Sequence, residues 1–286
     1  MIAAHIGEFA IGLMCRALKV SRSGFHAWRS RMASNRVSDR QKANGRIVEA
    51  ITEIHKRTRR SYGSPRMHDE LTELGLDCGL NRTARLMREN GLAARIKRRF
   101  TRTTDSEHSH PIAPNLLDRS FNPARPNEAW ASDITYVATR QGWLFVAVTL
   151  DLFSRAVVGW AMGRWIDAEL VARSLNMAIE NRRPPAGLLH HSDRGSQYTS
   201  SNFQSILKAH RIVPSMSRRG DCWDNAVVES FFGSMKWEWL EDRYETRAAA
   251  ARDVFEFIEV FYNRQRRHST LGNISPIAYE RQAGVA

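Results

Sequence analysis

Three acidic residues are set in three different local contexts: Asp133 in WASDITY, Asp193 in HHSDRGSQY and Glu229 in DNAVVESFFGSMK. Thirty-five residues lie between the second and the third. Asp133 falls in a segment that otherwise reads as a strand, where Asp is depleted because its short polar side chain competes with the backbone. Its strand face would carry Ala131, Thr135 and Val137. Asp193 follows the apolar pair Leu188–Leu189 and precedes Arg194–Gly195, at a strand end, where open α/β sheets place ligands. Glu229 sits in a helical pattern begun near Asp224–Asn225. Val228, Phe231 and Met235 make one apolar side of that helix, and Glu229, Gly233 and Lys236 make another. A mid-helix glycine costs about 1 kcal/mol relative to Ala, so Gly233 asks for a reason.

Singly, each acid has an ordinary structural reading: a satisfied Asp in a strand, a turn Asp before Gly, a solvated Glu–Lys pair on a helix. Together they form an all-oxygen ligand set for a hard divalent cation. Magnesium and manganese bind through a few carboxylates plus substrate phosphates. Two such ions roughly 3.5–4 Å apart can activate an attacking oxygen and stabilise a leaving one. Three clustered carboxylates would repel one another without cations, which is a reason to expect metal.

The charge of the chain points to a polyanion. Its 286 residues carry 43 Lys+Arg against 30 Asp+Glu, a formal charge of +13, and neutralising phosphates supplies most non-specific nucleic-acid affinity. Through Glu128 there are 24 basic and 13 acidic residues; from Ala129 onward there are 19 and 17. A DNA-gripping half joined to a metal-binding half is the expectation. Cys15, Cys78 and Cys222 are scattered, with no CxxC pair, so neither a zinc module nor a disulfide framework is expected and a reducing cytosol fits. The apolar opening is interrupted by His5 and Glu8; it is too short and polar for a membrane span and poor as a signal peptide. There is no GxxxxGK[ST] phosphate loop.

Several elements must position these acids. The first thirty residues read as short helices with a break at Ser21–Gly24 and Phe25 and Trp28 at helical spacing. Ile47, Ile51 and Ile54, four and three apart, predict a longer helix. Ser64 reads as a cap with Pro65 first in the next helix, which stops at Gly75; Asn81 reads as the cap of RTARLMRENG, ending at Gly91. This pair suggests a helix-turn-helix whose second member bears Arg82, Arg85 and Arg88 as DNA-binding candidates, a solvated helix face being the alternative. A basic, proline-rich stretch follows. Then WASDITYVAT, GWLFVAVTLD and SRAVVGWAM read as three antiparallel strands, before a helix over about 167–181, a strand in GLLHHSD, a helix in SSNFQSILKAH and a strand in RIVPSMS.

The chain resembles the OrfB-type transposases of the insertion sequence three (IS-three) family, which share the catalytic core of retroviral integrases. The resemblance is carried by SRSGFHAW, YGSPRM, RLMRENGL, WASDITY, DLFSRAVVGW, HSDRGSQYTS, DCWDNAVVESFFGSMKWE and YNRQRRHSTLGNISP, nearly end to end. It implies a ribonuclease-H-like mixed five-stranded α/β sheet flanked by helices, preceded by an all-α helix-turn-helix-like region. The expected partition is 1–38 short helices, 39–97 helix-turn-helix-like domain, 98–125 basic linker, 126–245 catalytic core and 246–286 C-terminal helix and tail.

By position the resemblance makes Asp133, Asp193 and Glu229 the catalytic, metal-binding triad for two Mg²⁺ or Mn²⁺ ions, and gives Lys236 contact with the DNA end. It implies cleavage that frees a 3′-OH, then joining of that 3′-OH to another phosphodiester. The implied partners are double-stranded DNA (element terminal inverted repeats and target), an upstream-frame product as fusion or partner, and further copies of the chain on DNA; no membrane is involved. A cytoplasmic, nucleoid-associated location in a bacterium follows. YNRQRRH matches a family motif with no chemical role attached, and by itself reads as a basic turn after a helix. Two other functions use the same features: a non-catalytic DNA-binding regulator, and a hydrolase such as a ribonuclease H or junction resolvase. The acidic triad argues against the first, the basic N-terminal half and the motif match against the second.

Overall fold

The structure, a computed structural model, describes residues 1–33, 38–95, 112–218 and 225–284. Ile11–Ala17 (α1) and Arg22–Ala33 (α2) close around Ile2, Cys15 and Phe25. Asp39–Arg57 (α3), Ser64–Glu73 (α4) and Leu80–Glu89 (α5) form a second helical group. A capping box starts α3: the Gln41 N–H donates to the Ser38 hydroxyl and the Ser38 N–H to the Gln41 amide oxygen. Ile47, Ile51 and Ile54 are buried in the same apolar cluster as Met67, Leu71, Leu86 and Met87, as their spacing required.

The two cap expectations shift. Met67 N–H donates to Gly63 O and Thr83 N–H to Gly79 O, so each helix begins before the polar residue. Gly63 and Gly79 are the caps, and Ser64 and Asn81 already lie inside their helices. Gly75 and Gly91 end them in the left-handed region, at φ of 71° and 67°.

Ala129–Thr139 (β1), Gly142–Asp151 (β2) and Val157–Gly163 (β3) make the antiparallel meander, and Leu189–Ser192 (β4) and Val213–Met216 (β5) run parallel to β1. The sheet order is β3-β2-β1-β4-β5. This mixed five-stranded sheet flanked by helices is the ribonuclease-H-like arrangement. β3 starts at Val157 rather than Ser154 because Arg155, at φ 63°, turns the chain with its N–H on Asp151 O.

Ala168–Arg182 (α6) and Ser201–Ala209 (α7) share one apolar cluster with Trp130, Ala147 and Val158 of the sheet. Ala226–Ser234 (α8) and Arg247–Phe255 (α9) share the other with Ala131, Val137, Val146 and Val148. α6 lies so close to β3 that a Cβ on Gly159 would stand 2.1 Å from Ser174 O, which requires glycine there. α8 runs on into a π-helical turn, Met235–Trp239, and α9 into another, Glu256–Tyr262; Pro276–Gln282 (α10) follows.

The first half of the expected linker, residues 98–111, lies outside the described residues together with residues 96–97 and Cys222. Where the chain is described again it is laid along β5: Leu117 is buried, and the Leu116 and Leu117 N–H groups donate to Ser215 Oγ. Among the described residues no helix is long and apolar enough to cross a membrane.

Candidate active site

Strand alternation places Asp133 on the face of β1 that carries Ala131 and Val137, toward α8, while Trp130 and Ile134 point to the opposite cluster. β1 and β4 are parallel, with Ala131 opposite His191. Two residues further along come Asp133, still within β1, and Asp193, just past the end of β4. Just past β4 the chain turns: the Gly195 N–H donates to Asp193 Oδ1 at 2.8 Å. A Cβ on Gly195 would stand 2.9 Å from that oxygen and 2.8 Å from Gln197 Oε1, so this tight turn needs glycine. The turn Asp and the candidate site Asp of the sequence are therefore the same residue.

α8 brings the third acid. Its N-cap, Asn225, donates from Nδ2 to Ser132 O at 3.2 Å and pins the helix start beside Asp133. Val228, Phe231 and Met235 are buried as their spacing required, which turns the Glu229 and Lys236 side of the helix toward the acids. Lys236 Nζ lies 4.7 Å from the centroid of the Tyr136 ring. A Cβ on Gly233 would meet only Trp237 Cδ1, at 4.0 Å, so packing within the chain does not require that glycine.

The electrostatics show that these groups share one place. Burial, then the neighbouring Asp193 and Glu229 charges, hold the Asp133 carboxyl well above the usual carboxylate range, against the pull of the Ile134 N–H and Lys236. Burial lowers the Lys236 pKa while Asp133 raises it. The Tyr198 hydroxyl is buried without a hydrogen-bond partner, and burial plus Asp133 and Asp193 push its pKa up. Among the described residues no three His, Cys, Asp or Glu side chains are drawn in tightly enough to enclose an ion by themselves. As a donor set, three carboxylates that act on one another electrostatically, with the Asp133 carboxyl held above the usual range, fit a hard divalent cation.

A polar layer missed by sequence reasoning supports the site. His190 Nε2 lies 2.8 Å from Ser132 Oγ, which lies 2.9 Å from Thr149 Oγ1, itself 3.1 Å from Ser174 Oγ. His191 reaches Ser215 Oγ at 2.9 Å and Ser217 Oγ at 3.1 Å. Burial, with His191 adding to it, drops the His190 pKa to about 3, so its ring is neutral. The HHSD spacing alone carried no sign of these partners, which come from β1, β2, α6 and the β5 segment.

The DNA-binding candidates on α5 separate. Arg82 donates through Nε and Nη2 to Asn44 Oδ1 and through Nη1 to Asp77 O, and Arg85 pairs with Glu89 at 3.7 Å. Arg88 is exposed in the last turn.

YNRQRRH is a clamp between the helical N-terminal group and the core. Asn263 bonds both the N–H and the carbonyl of Val157 at 2.9 Å. Arg266, 4% exposed, donates to both Glu238 oxygens at 2.5 and 2.6 Å and to Ser234 Oγ at 3.0 Å, while Arg66 of α4 reaches the same Glu238. Burial alone would lower the Arg266 pKa; Glu238 more than reverses it. Arg267 donates to Glu70 Oε1 at 2.7 Å and also to Glu73, both on α4. Arg59 completes the joint, bonded to Asp253 and Glu256 and lying 4.2 Å from the centroid of the Trp239 ring. Arg266 and Arg267 are thus buried and paired, because α4 of the N-terminal half and the turn after α8 supply their carboxylates.

Comparison with known proteins agrees with this architecture. Models described as Integrase core domain match residues 123–222 and 210–276, and one described as HTH-like domain matches 42–100. The chain is 46% identical to the insertion element IS600 uncharacterized 31 kDa protein of Shigella sonnei, over 93% of this chain and 97% of that one. It is 41% identical to transposase InsF for insertion sequence IS3A of Escherichia coli (strain K12), over 98% and 96%. Among solved structures, the HTLV-2 integrase catalytic core domain in complex with magnesium (trimeric form) overlays with a TM-score of 0.41 at 18% identity, covering 55% of this chain and 97% of that one.

Proposed function

Because the chain belongs to the IS3-type insertion-sequence transposases with an integrase core, we propose that Asp133, Asp193 and Glu229 are the residues with which it cuts and joins DNA. The observation that carries the assignment is their electrostatic convergence around Asp133, from a strand interior, a strand end and a facing helix. The enzyme is a polynucleotidyl transferase acting in DNA transposition.

The three carboxylates would hold two Mg²⁺ or Mn²⁺ ions. When bound, the ions activate an attacking oxygen and stabilise the leaving 3′-oxygen. In the first reaction water attacks a phosphodiester at the element end; the P–O3′ bond breaks and the 3′-oxygen leaves as a hydroxyl. In the second that 3′-OH attacks another phosphodiester, forming one P–O bond as another breaks. Parallel pairing of β1 with β4 supports the approach of Asp193 to Asp133, and Asn225 pins the start of the helix that carries Glu229. Lys236, half-buried beside Asp133, would contact the DNA end. No Ser or Tyr nucleophile is required.

Double-stranded DNA, both element ends and target, is the substrate, with Arg88, exposed in the last turn of α5, as the DNA contact there. Self-association on DNA and joining to an upstream-frame product are part of this reading, as is action in the bacterial cytoplasm. The experiment is strand joining on duplexes carrying the element's ends: Asp133→Asn, Asp193→Asn and Glu229→Gln each abolish cleavage and joining while duplex binding persists. Joining that survives in any one variant removes that residue from the triad.

A further inference from the structure

The pair α1–α2 has its own apolar cluster, Ile2, Cys15 and Phe25 with Ile11 and Met14 packed on them, separate from the clusters that hold α3–α5 and the sheet. Only four residues, Leu18–Ser21, join the two helices. Each bend of that connection is specified. Lys19 is left-handed, at φ 53°, and the Val20 N–H donates to Cys15 O at 2.9 Å, closing α1 in the manner of a left-handed cap. Ser21 Oγ accepts from the Gly24 N–H at 3.0 Å and opens α2. A Cβ on Gly24 would lie 2.6 Å from that oxygen, so glycine permits the cap. A short connection with both ends capped makes a helix-turn-helix.

Within α2 only Phe25 turns inward among the residues whose burial is described; the others are exposed. Arg22, His26 and Arg29, four and three apart, share one face, with Ser23 and Ser30 beside them. Residues 1–33 hold Arg16, Lys19, Arg22, Arg29 and Arg31 against Glu8 alone, and Glu8 is taken up by His5 at 3.0 Å. Among the described residues neither Arg22 nor Arg29 has a carboxylate partner, in contrast to Arg85, which Glu89 occupies. A 12-residue helix is about 18 Å long, and the major groove of B-DNA, about 12 Å wide, admits one helix.

We propose that α1–α2 is a second DNA-reading unit, outside the HTH-like region at 42–100, with α2 lying in the major groove and Arg22, His26 and Arg29 facing phosphates and base edges. The unit rests on the reading that the protein acts on duplex DNA. Its exposed arginine face selects a polyanion: an apolar protein partner would gain nothing from two uncompensated guanidinium groups on the presented face.

The test uses the full chain and a mixed-sequence duplex of about four helical turns, with affinity measured across a series of salt concentrations. Arg22→Ala/Arg29→Ala lowers the slope of log K against log salt by about 1.8, since each lost phosphate contact removes about 0.9. Affinity near physiological salt falls roughly tenfold or more, and Arg22→Lys/Arg29→Lys keeps the slope. All these side chains are exposed, so the melting temperature stays at the parent value. An unchanged slope and affinity in the alanine variant overturns the unit and leaves the catalytic assignment standing. A change confined to the oligomeric state likewise overturns it in favour of a protein-docking face. Failure of the parent protein to bind any duplex overturns the functional reading as well.

Discussion

Asp133 lies two residues beyond Ala131 within β1, and Asp193 lies two residues beyond its register partner His191, just past the end of the parallel strand β4. Parallel pairing with a period of two puts both carboxylates on the same face of the sheet, the one α8 covers. Burial, and then the like charge of Asp193 that this geometry brings close, push the Asp133 pKa up.

Removing that repulsion should stabilise the protein while destroying its chemistry. Without divalent ions, Asp133→Asn melts a few degrees above the parent, because a neutral amide lacks both the burial cost and the conflict with Asp193 and Glu229. Its joining rate drops by at least about two orders of magnitude. Adding Mg²⁺ raises the melting temperature of the parent and not of the variant. Thermal scans with and without the ion decide the matter, and equal melting temperatures in its absence would contradict the crowding.

Gly195→Ala tests the turn that aims Asp193. A Cβ there meets Asp193 Oδ1 and Gln197 Oε1 inside 3.0 Å, so the carboxylate must shift. Activity falls by roughly tenfold or more while stability changes by only about 1–2 kcal/mol. Denaturant melts beside joining rates separate the two effects.

Arg266→Ala leaves Glu238 and Ser234 without their principal donor in a largely buried site, costing about 3 kcal/mol. Arg266→Lys does not restore stability, because an ammonium cannot span both Glu238 oxygens and Ser234 at once. Urea unfolding checks both; full recovery with Lys would mean that charge alone holds the joint.

Arg82 and Arg88 should part company. Arg82→Ala lowers stability by about 1–3 kcal/mol, since Asn44 and Asp77 lose its bonds. Arg88→Ala leaves stability alone and lowers the salt slope of DNA binding by about 0.9. A salt titration of the two variants side by side distinguishes them.

Acid should unfold the protein partly through His190. Its folded pKa of about 3 lies below the unfolded value near 6.5, so the unfolded chain binds the proton first. The stabilisation is fully present above about pH 6.5 and is lost as pH falls toward 3, at about 1.4 kcal/mol per pH unit. His268, also held low by burial and by Arg266, adds a second such slope. Stability measured from pH 7 to 4 in His190→Gln should lose one of these slopes.

Much of this fold was legible because its signals are local. The apolar spacing of Ile47, Ile51 and Ile54, the alternation through WASDITYVAT and the apolar side of Val228, Phe231 and Met235 each depend on a few neighbouring residues and a fixed helical or strand period. Helix starts were less legible: Ser64 and Asn81 have capping side chains, yet backbone bonds to Gly63 and Gly79 begin the helices earlier.

The chain's sequence by itself determined its chemistry: carboxylates of set type and spacing, a basic N-terminal half, and motifs specific enough to name a transposase family. Tertiary structure alone decided which charges are spent and which remain free. Arg266 and Arg267 look like a solvated basic turn until Glu238, Glu70 and Glu73, from distant segments, bury and pair them. Arg82 looks like a DNA contact until Asn44 takes it. Arg22 and Arg29 look no different in sequence, yet they end on an open helix face. Partnering across long separations depends on how elements pack, and no local period encodes it.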